Sequence, residues 1–246
     1  MAHVRLQKVS LEYPIITPRS QAIKTALFTR LGGSISDRDR TVIVRALHNI
    51  DLDLADGDRL GIVGHNGAGK STILKVISRI YEPQSGKVDV SGSLSSLVDI
   101  TLGMDGEATG WDNIRFRGAF MGFTSAQTRD LAPSIAEFCE LGDYMNLPLR
   151  TYSSGMFMRL AFAIATSVHP EIIVMDEMIG AGDAGFIDKA VARLNGMLGG
   201  SKILVMASHS NATIRKFCNK ALWLTNGGIR AFGPVDPVLV DFERGQ

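Results

Sequence analysis

Cysteine is almost missing: Cys139 and Cys218 are the only two in 246 residues. Two thiols are too few for a disulfide framework or a zinc site, and they suit a reducing compartment. An excess of one charge is missing too. Lysine and arginine total 26 against 25 acids, a formal net charge of +1. Affinity for duplexes comes largely from phosphate neutralisation, so this balance removes nucleic acid as the main partner. No run approaches the roughly 18 uninterrupted apolar residues of a membrane span; the stretches 160–166 and 172–175 are core-sized. The opening MAHVRLQKVSLEY alternates like a strand and lacks the basic and apolar regions of a signal peptide. These absences predict a cytosolic chain that meets a membrane only through a partner. There is no internal repeat and no low-complexity tract.

What is present is the balance of a protein with a real core, 45% hydrophobic and 21% charged. The length suits one large α/β domain, or one with an inserted subdomain. Residues 3–13 read as a strand on Val4, Leu6, Val9 and Leu11, with a break near the polar centre. Pro14 and Pro18 mark a loop, and Ser20 caps a short helix bearing Ile23, Leu27, Phe28 and Leu31 that Gly32 and Gly33 end. Strands are expected over 42–55, 60–63, 86–100, 171–175, 202–207, 220–225 and 228–232. Helices are expected over 70–80, 110–121, 125–140, 155–168, 186–198 and 210–217. Strands alternating with helices, interrupted by a helical block, predict an α/β fold: a mainly parallel sheet, an N-terminal antiparallel β part and a helical subdomain over about 101–168.

Gly64-His65-Asn66-Gly67-Ala68-Gly69-Lys70-Ser71 fits G-x-x-x-x-G-K-[ST] without a mismatch, after a strand and at the start of a helix. Glycines let backbone N–H groups turn inward around a phosphate, and the helix N-terminus adds partial positive charge. Lys70 then reaches the β- and γ-oxygens, Thr72 follows in the same turn, and the Ser71 hydroxyl suits Mg²⁺. The apolar residues 172–175 end in Asp176-Glu177. A buried strand that delivers carboxylates to the sheet edge places Asp176 to hold Mg²⁺ and Glu177 to polarise the attacking water. Together the two motifs make a phosphate-loop nucleoside triphosphatase.

Tyr152-Ser153-Ser154-Gly155-Met156 opens a helix, with Ser153 lying 23 residues before Asp176. Here the chain resembles the ATP-binding cassette (ABC) family, whose signature is Leu-Ser-Gly-Gly-Gln at this distance. Ser153 and Gly155 match; Tyr152, Ser154 and Met156 depart. The variant, followed by Arg159-Leu160-Ala161-Phe162, resembles the ATP-binding subunits of O-antigen and capsular polysaccharide exporters. A plain serine cap on the helix is compatible with the same residues.

The resemblance implies a homodimer in which each ATP lies between the phosphate loop of one copy and residues 153–156 of the other. It places Asp183, in Ala181-Gly182-Asp183, at the loop connecting the two sites. His209 becomes the switch histidine at the γ-phosphate, and Tyr13 the aromatic that stacks on adenine, with ordinary packing its alternative. Asp99 stands where most of the family has glutamine, either in the Mg²⁺ shell or as an acid capping a loop. A polytopic permease, in two copies, is the implied partner, and a lipid-linked polysaccharide the cargo. Met104, Trp111, Phe116 and Phe120 offer an apolar contact for that permease. The chain would then sit on the cytoplasmic face of the inner membrane. Residues 14–41 read as an insertion before the phosphate loop, with Arg19, Lys24, Arg30, Arg38 and Arg40 facing the permease or lipid headgroups, or as a plain surface excursion. The tail 234–246 leaves no room for the sugar-binding domain that some members carry, so a single cassette is expected over 1–246. An ABC transporter for another substrate, or a soluble ABC ATPase, is the alternative.

Overall fold

A computed structural model of the chain describes residues 1–16, 37–38, 41–176 and 184–245. In chain order the elements begin β1 (His3–Ile16), β2 (Asp37–Arg38), β3 (Thr41–Ala55), β4 (Arg59–Val63), α1 (Lys70–Ile77), β5 (Ser85–Ser91) and β6 (Leu94–Ser96). They continue α2 (Gly110–Phe120), α3 (Ser125–Cys139), α4 (Ser154–Ala165), β7 (Ile172–Asp176) and α5 (Ala184–Gly200). The last are β8 (Ile203–Ala207), α6 (Asn211–Phe217), β9 (Lys220–Thr225), β10 (Gly228–Pro234) and α7 (Val235–Arg244). The chain folds as two compact units: Met1–Leu94 with Glu171–Met178 and Lys202–Gln246, and Ser95–Pro170 with Ile179–Ser201.

The first unit contains an antiparallel sheet in the order β2-β3-β1-β5. Val4 and Leu6 are even-numbered, Val9 and Leu11 odd, yet all four are buried. Strict alternation forbids that, and a bulge resolves it. The register slips between Leu6 and Val9, where Lys8 takes φ 50°, and β3 answers with Asn49 at φ 49°. The Lys8 N–H donates to Asp51 Oδ1 at 2.9 Å, and the Asn49 N–H to Ser10 Oγ at 2.9 Å. The break expected in the polar centre of 3–13 is this bulge.

Pro14 does not begin a loop. It pairs within β1 opposite Ile43, and the strand continues to Ile16. Pairing of β1 with β5 ends at Ser10, so beyond it β1 is an edge on that side, where a missing N–H costs no ladder bond. The helix expected from Ser20 lies outside the described residues.

The larger sheet runs β10-β9-β4-β8-β7 through this unit. β4, β7, β8 and β9 are parallel, and β10 returns antiparallel on β9. Ile172, Ile173, Val174, Ile203, Leu204 and Val205 are all fully buried, as continuous apolar strands covered on both faces must be. Helix α1 lays Ile73, Leu74, Val76 and Ile77 against β7 and β8. The tail after β10 is a helix, α7: Val238, Leu239 and Phe242 are buried, and Phe242 meets Trp223 edge-on at 5.5 Å.

The second unit is helical. α2 and α3 approach so closely at Gly118 that a Cβ there would stand 2.4 Å from Thr128 Oγ1. Thr109 and Thr124 start these helices with reciprocal caps to Asp112 and Gln127. Phe138, Phe162 and Phe186 form an aromatic cluster with ring separations of 5.5–6.1 Å, and Arg193 covers Phe138 at 4.1 Å. Asn113, on α2, is fully buried and ties down the segment before it. It accepts from the Asp105 N–H at 2.7 Å and donates to the carbonyls of Asp105 at 3.0 Å and Thr109 at 2.9 Å. Replacing it with alanine removes these part-buried bonds and leaves a cavity where a fully buried side chain stood. Asn113→Ala is therefore expected to cost about 2–3 kcal/mol and to lower the melting temperature by roughly 4–10 °C, read by thermal denaturation; an unchanged transition would show that the side chain is not the clamp.

Candidate functional site

The parallel register brings one set of strand ends together. Asp176, the last residue of β7, lies beside Ala207, the last of β8, and Ala207 lies beside Ile62 near the end of β4. Residues that follow β4 and β8 thus leave the sheet at the edge where Asp176 stands, the edge at which open α/β sheets bind ligands.

Residues 64–69 turn there into α1. Gly64 has φ +152°, and a Cβ on it would stand 2.4 Å from the Leu224 carbonyl oxygen. Gly69 is the left-handed N-cap of α1 at φ +106°, where a Cβ would meet the Ala46 carbonyl at 2.6 Å. Both glycines are required by this chain's own backbone. No side chain caps the first turn of α1, which leaves its positive end to the loop. Within the loop the Ala68 N–H bonds the His65 carbonyl at 3.1 Å, and His65 Nδ1 lies 2.8 Å from the Asn66 carbonyl. Lys70 is buried, and its ammonium donates to the carbonyls of Gly64 at 2.7 Å and His65 at 3.1 Å. The ammonium is folded back over the loop whose concavity it serves.

Next to it, the Ser71 hydroxyl donates to Asp176 Oδ2 at 2.6 Å. One hydroxyl and one carboxylate in contact form an all-oxygen donor pair, the set that suits Mg²⁺ completed by phosphate oxygens and water. No cluster of three or more His, Cys, Asp or Glu exists among the described residues, so a cage built entirely of such side chains is absent there.

Tyr13 is carried by β1 to the same region. Burial pushes its phenol above the ordinary range, partly offset by a hydrogen bond with Thr72, and its ring meets Tyr81 edge-on at 5.9 Å. His209 is exposed, two residues beyond the strand partner of Asp176, and Ser210 caps α6 behind it by accepting from the Thr213 N–H at 3.2 Å. Glu177 and Asp183 lie outside the described residues.

The remaining sequence candidates belong to the second unit. Ser153 is the N-cap of α4, accepting from the Met156 N–H at 3.2 Å, and Ser154 begins the helix. Gly155 is different from the loop glycines: a Cβ there would meet nothing nearer than Ser153 Oγ at 3.9 Å. A cavity of about 570 Å³ opens beside Ser153, Gly155 and Met156, with Tyr144 and Arg159 among its walls. Tyr152 donates its hydroxyl to the Tyr144 carbonyl at 2.7 Å, and burial pushes its pKa up to about 12, so it stays a donor. Asp99 accepts from Thr101 Oγ1 at 2.9 Å and acts on the charge of the buried Arg117.

Sequence reasoning missed the support beneath the loop. The Gly227 N–H donates to the Ala68 carbonyl at 3.1 Å, and the Gly227 carbonyl accepts from His48 at 2.8 Å. The β9–β10 turn therefore braces the phosphate loop. Asn226-Gly227 between two strand-like runs was the available signal.

The described residues include no helix long and apolar enough to cross a membrane. Residues 47–180 match the family model described as ABC transporter. The chain is 44% identical over 232 residues to the O-antigen export system ATP-binding protein of Yersinia enterocolitica, covering 92% of this chain and 96% of that one. It is 34% identical over 239 residues to a teichoic acids export ATP-binding protein of Bacillus cereus, 97% of this chain and 42% of that relative. A dimeric, post-hydrolysis ATP-binding cassette bound to ADP and Pi superposes with a TM-score of 0.66 at 20% identity, covering 94% of this chain and 98% of that one. At that identity the likeness concerns the fold.

Gly64→Ala tests the loop. The added methyl runs into backbone, so stability should fall by at least about 2 kcal/mol, and binding of a fluorescent ATP analogue should be lost. Wild-type affinity in a folded variant would show that the loop does not need this glycine.

Proposed function

Because the chain belongs to the ABC transporter family, we propose that it is the ATP-hydrolysing subunit of an exporter moving a lipid-linked polysaccharide, such as O-antigen or capsule, across the cytoplasmic membrane. The likeness to an O-antigen export protein over nearly its whole length carries the export half of this reading. The contact of Ser71 with Asp176 beside a loop-bound lysine carries the ATPase half.

The loop N–H groups of 64–69 and the α1 N-terminus cradle the β-phosphate, and Lys70 moves from the loop carbonyls to the β- and γ-oxygens. Ser71 and Asp176 would hold Mg²⁺, which would supply charge neutralisation for the phosphates. Tyr13 meets the adenine. Glu177, one residue beyond Asp176, takes a proton from the attacking water, and His209 contacts the γ-phosphate and senses its loss.

The second half of each site comes from another copy. Among the described residues a Cβ on Gly155 would meet only Ser153 Oγ, at 3.9 Å, which supports a phosphate reaching residues 153–156 from outside. A homodimer with two equivalent sites follows, joined through Asp183. ATP closes the dimer and hydrolysis opens it.

Export requires a permease, and α2 displays an apolar face for one. Trp111 is 36% exposed, Phe116 45% and Phe120 58%. Beside them, α2 and α3 splay around a cavity of about 500 Å³ walled by Trp111, Ala119, Phe123 and Ala132, with Arg115 and Arg129 also lining it. Such a slot accepts an apolar anchor flanked by an acid. In this reading the chain lies peripherally on the cytoplasmic face of the membrane.

Two measurements test the reading. Glu177→Gln is expected to bind ATP, dimerise stably and hydrolyse at least about 100-fold more slowly; wild-type turnover would remove Glu177 from the general-base role. The tagged chain, purified from its native cell in mild detergent, is expected to bring a polytopic membrane protein, and deleting its gene to remove a surface polysaccharide. A chain that arrives alone, from cells whose surface glycan survives its loss, would overturn export and leave the ATPase.

A further inference from the structure

Tyr13 stands where β1 has lost one of its two neighbours. Pairing with β5 ends at Ser10, and beyond that point the strand continues on β3 alone. The segment between α1 and β5 takes over. The Gln84 side chain accepts from the Glu12 N–H and donates to the Glu12 carbonyl at 2.6 Å. Its own N–H donates to the Ser10 carbonyl at 3.1 Å. One amide side chain thereby makes on Glu12 the two bonds that a paired strand residue would make.

Three residues before Gln84, Tyr81 meets the Tyr13 ring at 5.9 Å with an interplanar angle of 75°. The Lys75 ammonium lies over Tyr81, 5.3 Å from the ring centre. Lys75 belongs to α1, and its carbonyl accepts from the N–H groups of Ile80 at 2.9 Å and Tyr81 at 3.2 Å. Tyr81 is thus fastened by backbone and by charge to the helix that the phosphate loop opens. All of these residues lie in the first unit. An edge-on pair uses at most one face of either ring, so Tyr13 keeps a face for a flat partner.

We propose that Tyr81 is the positioning residue for Tyr13, holding its ring in one orientation for the adenine to stack on. The proposal rests on the reading that Tyr13 meets the adenine. A side chain with two free torsions is otherwise ordered at the ligand's expense, and a contact made in advance removes that cost. Because Tyr81 is tied to α1, the base platform and the phosphate cradle are referenced to one helix. Loss of the Tyr81 ring therefore weakens recognition of the base and spares that of the phosphates.

Calorimetric titration with ATP and with inorganic tripolyphosphate, both in Mg²⁺, separates the two. The wild-type chain is compared with Tyr81→Ala, Tyr81→Phe, Tyr13→Ala and the double alanine variant, with a melting curve for each. Tyr81→Ala is expected to weaken ATP binding about fivefold and tripolyphosphate binding by less than about 1.5-fold. In the Tyr13→Ala background the same substitution is expected to change ATP affinity by less than about 1.5-fold. Tyr81→Phe keeps the ring and is expected to bind both ligands as the wild type does. Should Tyr81→Ala fail to fold, Tyr81→Leu fills the space without a ring and should show the same split. Equal loss of both ligands would make Tyr81 a brace for the loop and overturn the proposal. Unchanged ATP affinity, losses that add to those of Tyr13→Ala, or a Tyr81→Phe variant as weak as Tyr81→Ala would overturn it too. An ATP affinity unmoved by Tyr13→Ala would instead overturn the reading beneath it.

Discussion

The parallel register of β4, β8 and β7 is the constraint on which the site depends. It sets Ile62, Ala207 and Asp176 side by side. Because side chains alternate along a strand, a slip of one residue would turn Asp176 to the other face of the sheet and away from Ser71. Full burial of Ile172–Val174 and Ile203–Val205 fixes that register from both faces, leaving no polar position at which an alternative pairing would be tolerated. The carboxylate is delivered by the core, and the chemistry is borrowed from packing.

The phosphate loop is held from behind in the same spirit. Gly64 lies on the Leu224 carbonyl, Gly69 on the Ala46 carbonyl, and Gly227 ties the β9–β10 turn to Ala68. Three distant parts of the chain press backbone against backbone, and only residues without a Cβ fit between them. That accounts for why glycines in this motif answer to structure as well as to ligand. Gly155 makes the contrast: among the described residues a Cβ there would meet nothing nearer than Ser153 Oγ at 3.9 Å.

The helical unit obeys a different economy of contacts. Serine and threonine caps start α2, α3 and α4, an aromatic cluster fills its core, and single polar side chains hold its loops. Asn113 and Arg117 do for the segment 99–109 what glycines do for the phosphate loop. One is fully satisfied and the other is not.

The sequence by itself determined the elements whose causes are local. The period of 110–121 and 125–140, the fit of 64–71 and the serine opening α4 are all set by residues within a few positions of one another, and the structure places them within a residue or two of expectation. What lay beyond it depended on chain segments far apart. The phase change between Leu6 and Val9 needs its partner Asn49, and Pro14 stays in a strand because β5 stops at Ser10. The tail becomes α7 because Trp223 receives Phe242. Tyr152, a departure from the family signature, is accounted for by the Tyr144 carbonyl, and Arg117 by a carbonyl fifteen residues earlier. Local propensity is written in short-range sterics and caps, whereas register, bulges and buried polar pairs are settled only when distant segments compete for the same hydrogen bonds and the same space.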